Sequence, residues 1–244
     1  MPTLVLLRHG QSRWNLEKRF TGWVDIDLTA EGEAEAVRAG ELVKAADIGL
    51  DRCFCSVLTR AIRTADLALG QAEQLWIPLE KSWRLNERHY GGLTGRTHAE
   101  VAAEAGDEQV RVWRRSYDVP PPPLAPGGPY DFAADRRYAG EPIPATESLQ
   151  MTLERVLPYW TGVVAPTLAA GECVLVAAHG NSLRAIVKHL FGVPDDTITG
   201  IEIPTGNPLL VSLDGRLRPA QSRYLDEARA QALPTLAVAD GPAG

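Results

Sequence analysis

The chain has little cysteine: Cys53, Cys55 and Cys173 are the only three in 244 residues. An odd, sparse set cannot form a disulfide framework, which excludes the small secreted scaffolds and points to a reducing compartment. Cys53 and Cys55 stand in an apolar run without a companion histidine pair, so they read as packing residues rather than half a zinc site. Also missing is any apolar run near the roughly 18 residues that a membrane span needs. The opening MPTLVLLRHG has no basic region before its apolar stretch, and Arg8 ends that stretch, so it does not read as a signal peptide. The expected location is cytoplasmic. Basic excess is absent as well. Lys and Arg number 25 against 31 Asp and Glu, and the resulting charge of −6 argues against a nucleic-acid partner. There is no internal repeat.

What is present is a soluble globular balance. With 45% hydrophobic and 23% charged residues, disordered and fibrous chains are excluded, and the length suits one domain over 1–244. Residues 3–7 are apolar and run straight into Arg8-His9-Gly10, as a buried strand entering a turn does. Residues 52–56 predict a second strand. Residues 172–178 predict a third, again ending in His-Gly at His179-Gly180. Thr29 reads as an N-cap with Glu31 and Glu33 in the first turn. Small residues then recur at helical spacing (Gly32, Ala36, Ala39, Gly40, with Val43), predicting a helix that packs closely. Helices are also expected at 58–69, stopping near Gly70, at 146–170 with a bend at Pro158, and at 181–191, ended by Gly192. Residues 209–213, Asp214-Gly215 and 216–218 predict a late hairpin.

Alternating strands and helices imply an α/β fold: a three-layer sandwich whose mostly parallel central sheet is flanked by helices. Residues 85–145 break the alternation, with four prolines at 120–123 and many arginines. They predict an inserted helical and loop segment over the C-terminal ends of the strands, the proline run being a stiff surface connector. From about Glu227 a mobile tail is expected.

Ligands of open α/β sheets bind at the carboxyl ends of strands, which makes His9 and His179 candidates for one site. Either alone would read as a structural histidine; the same local context twice reverses those odds. Arg8, Arg60, Arg88, Arg114 and Arg115 lie near strand ends or in the insertion. Guanidinium forks match phosphate oxygens, and a multiply charged phosphate ester needs several. Neutral imidazole is nucleophilic near pH 7, and neighbouring cations favour the neutral form of His9. Transfer to an alcohol or water then needs a general acid and base. Glu87 is the carboxylate inside Asn86–Tyr90, balanced between that role and an ion pair with Arg84 or Arg88.

These residues occur in longer motifs. Leu6-Leu-Arg-His-Gly-Gln-Ser12, Trp14-Asn15, Arg19-Phe-Thr-Gly-Trp23, Ser56-x-Leu-x-Arg-Ala-Ile62, Leu85-Asn-Glu-Arg-His-Tyr-Gly91, Trp113-Arg-Arg115 and Ala178-His-Gly-Asn-Ser-Leu-Arg184 follow in order. Together they resemble the cofactor-dependent phosphoglycerate mutases of the histidine phosphatase superfamily, over about residues 3–225. The resemblance implies that His9 is the phosphorylated nucleophile and Glu87 the proton donor and acceptor. His179, Arg8 and Arg60 would stabilise the transferring phosphoryl group. It implies ligand contacts from Ser12, Asn15, Thr21, Gly22, Arg88, Tyr90, Arg114, Arg115, Gly180 and Asn181. The implied reaction is the glycolytic and gluconeogenic isomerisation of 3-phosphoglycerate and 2-phosphoglycerate, primed by 2,3-bisphosphoglycerate, with no metal. The implied partners are small phosphorylated three-carbon acids and further copies of the chain in a dimer or tetramer. The tail would close over the site.

One position departs from the pattern. Where the family carries a ligand-binding lysine, this chain has His98, in Gly95-Arg-Thr-His-Ala-Glu100. A histidine is shorter and mostly neutral at pH 7, so weaker or pH-altered binding of the three-carbon acid is expected, with Arg96 as a candidate for the lost charge. A phosphatase of the same superfamily, and a non-catalytic phospho-ligand module on the same fold, are the competing readings.

Overall fold

The computed structural model describes residues 1–231. Six strands, β1 Thr3–Arg8, β2 Arg52–Cys55, β3 Leu79–Lys81, β4 Cys173–Ala178, β5 Leu209–Leu213 and β6 Pro219–Tyr224, form one sheet in the order β3-β2-β4-β1-β5-β6. The four strands β1 to β4 run parallel, while β5 and β6 add an antiparallel edge. The α-helices are α1 Arg13–Leu16, α2 Ala30–Ala45, α3 Thr59–Gln71, α4 His98–Ala105, α5 Asp107–Arg115, α6 Leu149–Tyr159, α7 Ala165–Ala169, α8 Gly180–Phe191 and α9 Asp195–Ile198.

Strand residues alternate between two cores. Leu4 and Leu6 of β1, with Val174 and Val176 of β4, pack on Val156 of α6 and Leu183 and Ile186 of α8. Val5, Leu7, Leu175 and Ala177 face the other way, onto Ala39 and Val43 of α2 and Ala65 and Leu69 of α3. With both faces covered, the central strands read as continuous apolar runs. Each fully buried Val or Leu contributes about 1.5–3 kcal/mol. The small-residue stripe of α2 is required by its neighbour: a Cβ on Gly40 would lie 2.3 Å from the Ala68 carbonyl oxygen of α3.

The structure departs from expectation in four places. β3 has only three residues, with no β-branched run to announce it. The second hairpin strand is residues 219–224, not 216–218, because the Asp214 carboxylate accepts from the backbone N–H groups of Arg216 and Arg218 and holds them in the turn. The long helix starts at Leu149, capped by the Ser148 hydroxyl, and is interrupted by a wide π turn at Trp160–Val164, just beyond Pro158. At the C-terminal end, Arg229 donates to Glu35 and to the Thr205 carbonyl, so the start of the expected tail is tied to the body of the fold. The rest of that tail, from 232, lies outside the described residues.

The insertion holds α4, α5 and a 3-10 turn at Gly91–Leu93. Its proline run is a strap. Gly92 N–H donates to the Pro122 carbonyl at 2.8 Å, and the Thr146 hydroxyl donates to that of Pro121. Gly91, at φ +56°, accommodates the close approach, since a Cβ there would lie 2.1 Å from the Pro122 oxygen. Among the described residues, no helix is long and apolar enough to cross a membrane.

Candidate active site

β1 and β4 pair in register from Thr3↔Cys173 to Arg8↔Ala178, and each delivers a histidine at its carboxyl end. The His9 N–H donates to the Ala178 carbonyl at 3.0 Å. The two imidazole rings meet edge-on with centroids 4.9 Å apart, both buried. Gly10 lets the first turn close, because a Cβ there would lie 2.0 Å from the Gly32 carbonyl oxygen.

Hydrogen bonding fixes the tautomer of His9. His9 Nδ1 lies 2.7 Å from the Gly10 carbonyl oxygen. A carbonyl only accepts, so Nδ1 carries the proton and Nε2 keeps its lone pair. His179 Nε2 lies 2.7 Å from Ser56 Oγ, which already accepts from the Leu58 N–H. The Ser56 hydroxyl hydrogen has no other acceptor among the described residues, so it goes to Nε2. With the Ser56 hydroxyl donating to Nε2, the proton of His179 is on Nδ1, an atom with no hydrogen-bond partner of its own. Burial pushes His9 well below the ordinary imidazole range, and Arg60 and Arg8 push it further. Burial lowers His179 likewise, with Arg60, His9, Arg8 and Arg155 adding to the effect. Both rings are neutral at pH 7.

Two arginines flank the pair. Arg8 donates through one guanidinium nitrogen to the Ile203 carbonyl, leaving its buried Nε unpartnered. Arg60, in the first turn of α3, donates to the carbonyls of Val24 and Gly22; burial brings it down to about 10 against the opposing pull of Glu87 and Asp25, so it stays charged at pH 7.

Glu87 comes from the insertion. Its Oε1 accepts from the Arg88 N–H at 2.7 Å and from the backbone and side-chain nitrogens of Asn181 at 3.2 and 2.7 Å. It makes no ion pair with Arg84 or Arg88, whose guanidinium groups lie over the Trp83 and Tyr90 rings. The loop carrying it is held from beneath. Arg155 of α6 pairs with Glu147 and donates to the carbonyls of Trp83, Arg84, Asn86 and Glu87. Trp23 Nε1–H donates to the same Glu87 carbonyl at 2.7 Å.

A cavity of about 570 Å³ opens over these groups, and Arg8, His9, Asn15, Thr21, Arg60, Glu87, Tyr90, His98, Arg114, Arg115, Gly180 and Asn181 line it. His179, Ser12, Gly22 and Arg88 stand behind that wall. Ser12 caps α1 and exchanges hydrogen bonds with Asn15. Gly22, at φ +54°, passes beneath Arg88 and Tyr90 and offers its carbonyl to Arg60. Arg88 is buried, with its Nε unpartnered. Arg96 is not on the wall; it is paired with Glu104. His98 packs on Phe20 with centroids 4.6 Å apart, and burial, Arg114 and Lys18 push it down to about 4. It stays neutral between pH 6 and 8, so any weakening of binding there carries no histidine titration.

Sequence reasoning missed Lys18, Arg184 and Glu202, all on the wall. Arg184 follows Gly180 by four residues on α8 and therefore shares its face, a signal that was available. It is buried, and burial together with Arg88 brings it down to about 10. Glu202 sits in a loop and pairs with Arg115, and nothing near it in sequence announces this. Unpartnered nitrogens on Arg8, Arg88 and Arg184, around two neutral histidines and the Glu87 carboxylate, form a receptor for a small polyanion.

The fold and this paired-histidine site define a phosphoryl-transfer protein of known type. The profile of the histidine phosphatase superfamily (branch 1) matches residues 4–217. A solved structure, "Mycobacterial hydrolase 1", superimposes with a TM-score of 0.67 at 25% identity, covering 91% of this chain and 96% of that one. The 2,3-bisphosphoglycerate-dependent phosphoglycerate mutase of Caulobacter sp. (strain K31) is 69% identical over 236 residues, 97% of this chain and all of that protein. The protein of the same name from Hyphomonas neptunium is 61% identical over the same shares. The chain belongs to the histidine phosphatase superfamily, branch 1, and within it to the family of these mutases.

Proposed function

We propose that this chain interconverts 3-phosphoglycerate and 2-phosphoglycerate through a phosphoryl group carried on His9. The observation that carries the proposal is the His9 tautomer: the Gly10 carbonyl holds Nδ1–H, which leaves Nε2 as a neutral nucleophile among arginines.

2,3-bisphosphoglycerate, when bound, supplies the phosphoryl group that charges His9. The residues present fit such a ligand, with Arg8, Arg60, Arg114, Arg184 and Asn15 as its holders. Once charged, His9 gives its phosphoryl group to the free hydroxyl of the bound monophosphate, and the freed Nε2 then displaces the other substrate oxygen from its phosphorus, which recharges the histidine. Arg8 and Arg60 hold charge that spreads over the phosphoryl oxygens, and His179 offers them its Nδ1–H. Glu87, fixed through Oε1, uses its remaining oxygen to give a proton to the departing alkoxide and take one from the attacking hydroxyl. Association into dimers or tetramers is carried over from the resemblance alone.

The test is an assay of the purified protein on 3-phosphoglycerate, with and without 2,3-bisphosphoglycerate, following 2-phosphoglycerate and free phosphate together. Isomerisation that needs the bisphosphate and releases little phosphate is expected. Phosphate release without isomerisation would overturn the mutase reading in favour of a phosphatase.

A further inference from the structure

The mouth of the cavity holds a lysine that has no acceptor among the described residues. Arg19 is engaged by Glu17 and the Gly95 carbonyl, Arg96 by Glu104, and Arg115 by Glu202 and the Thr199 carbonyl. Lys18 lines the cavity, yet its ammonium has no hydrogen-bond or ion-pair partner among the described residues. Its backbone is fixed all the same. The residue follows α1 in the left-handed region at φ +54°. Its N–H donates to the Asn15 carbonyl at 3.1 Å, and its carbonyl accepts from the His98 N–H at 2.9 Å. Arg19 and Thr97 then form an antiparallel bridge that ties this turn to the insertion. A lysine in this conformation is uncommon, and the surrounding bonds hold it there.

His98, the adjacent wall residue, carries no charge at neutral pH. The ring leans on Phe20, and Lys18 itself is among the groups that oppose its protonation. So where the turn and the insertion meet, the positive charge comes from Lys18 on the turn and Arg114 on the insertion, not from His98.

We propose that Lys18 is a substrate-binding and specificity residue, whose ammonium pairs with the anionic group of the ligand farthest from His9. For phosphoglycerate that group is the carboxylate when the phosphate lies at His9; for a bisphosphate it is the second phosphate. The inference rests on the reading of this cavity as the phosphoglycerate site. Lys18 touches no reacting atom in this scheme, so its loss falls on binding.

The experiment compares steady-state kinetics of wild type, Lys18→Met and Lys18→Asn, the last because asparagine tolerates the left-handed backbone. KM for 3-phosphoglycerate and the half-saturating concentration of 2,3-bisphosphoglycerate are expected to rise about 5- to 20-fold in both variants, with KM carrying most of the loss in kcat/KM. His98→Lys in the Lys18→Met background restores a charge across the same junction and is expected to recover much of the KM loss. Wild-type and variant KM values within twofold of each other in an enzyme that is primed by the bisphosphate would overturn the inference alone. A wild-type protein that is not primed at all would bring down the site reading and this inference with it. Loss confined to kcat in both variants, without recovery in the double variant, would show a structural role and would also overturn it.

Discussion

A single hydrogen bond decides what His9 can do. Because the Gly10 carbonyl can only accept, the imidazole is locked with Nε2 free, and burial beside Arg60 and Arg8 keeps it unprotonated. His9→Ala should therefore form no acid-labile phosphoryl-enzyme with 2,3-bisphosphoglycerate and should lose at least about 10³-fold in turnover. Glu87→Gln keeps the shape and removes the proton carrier. Its turnover should drop about 10²- to 10⁴-fold while the histidine still becomes phosphorylated, as a rapid-quench measurement of bound phosphate would report. At this scale the sequence is largely legible. His9 and His179 stand out because the same strand-then-His-Gly context occurs twice, and Arg60 and Glu87 fall within motifs. Arg184 shares a helix face with Gly180 and was within reach. Lys18 and Glu202 were not, since each reaches the wall from a turn whose direction depends on contacts distant in sequence.

Among the elements, α6 matters beyond its share of the core. Its Arg155, only 8% exposed, is matched by the buried carboxylate of Glu147 and saturates four carbonyls of the segment that carries Glu87. Arg155→Met removes the donors and strands Glu147 without its charge partner. A loss of about 3–5 kcal/mol in urea-unfolding stability is expected. Arg155→Lys, which keeps the charge but not the fork, should recover part of that stability and less of kcat. Long periodic helices and apolar strands are legible in the sequence, because their patterns repeat over many residues. The three-residue β3 and the start of β6 are not. One has too few residues to show a period, and the other was displaced by the Asp214 carboxylate capping the turn.

Across the whole molecule, burial has taken proton-binding capacity away from the folded state. His9 and His179 lie well below the ordinary imidazole range, and burial brings His89 down to about 4. Below pH 6.5 the unfolded chain binds protons at these positions and the folded chain does not. Each lowered histidine thus contributes stability that is present above pH 6.5 and is lost as pH falls from there toward the folded value. The slope approaches about 1.4 kcal/mol per pH unit for each such group once the unfolded form is fully protonated. Thermal denaturation should accordingly show Tm falling between pH 6.5 and 5. Replacing His89 by Gln, which has no titrating ring, should make that decline shallower.

The in-register pairing of β1 with β4 has a consequence for how the site comes apart. The amide of His9 is bonded to the Ala178 carbonyl, so the spacing between the two histidine-bearing turns is set by the two innermost parallel strands and not by a loop. Such an amide exchanges with solvent deuterium only when those strands separate, and that event is the unfolding of the domain itself. The His9 amide should be as slow to exchange as those of Val5 and Leu7, while the Thr97 amide at the insertion's edge exchanges orders of magnitude sooner. The phosphoryl-bearing half of the site would then have the lifetime of the fold. The half that meets the outer end of the ligand could open and close many times within it.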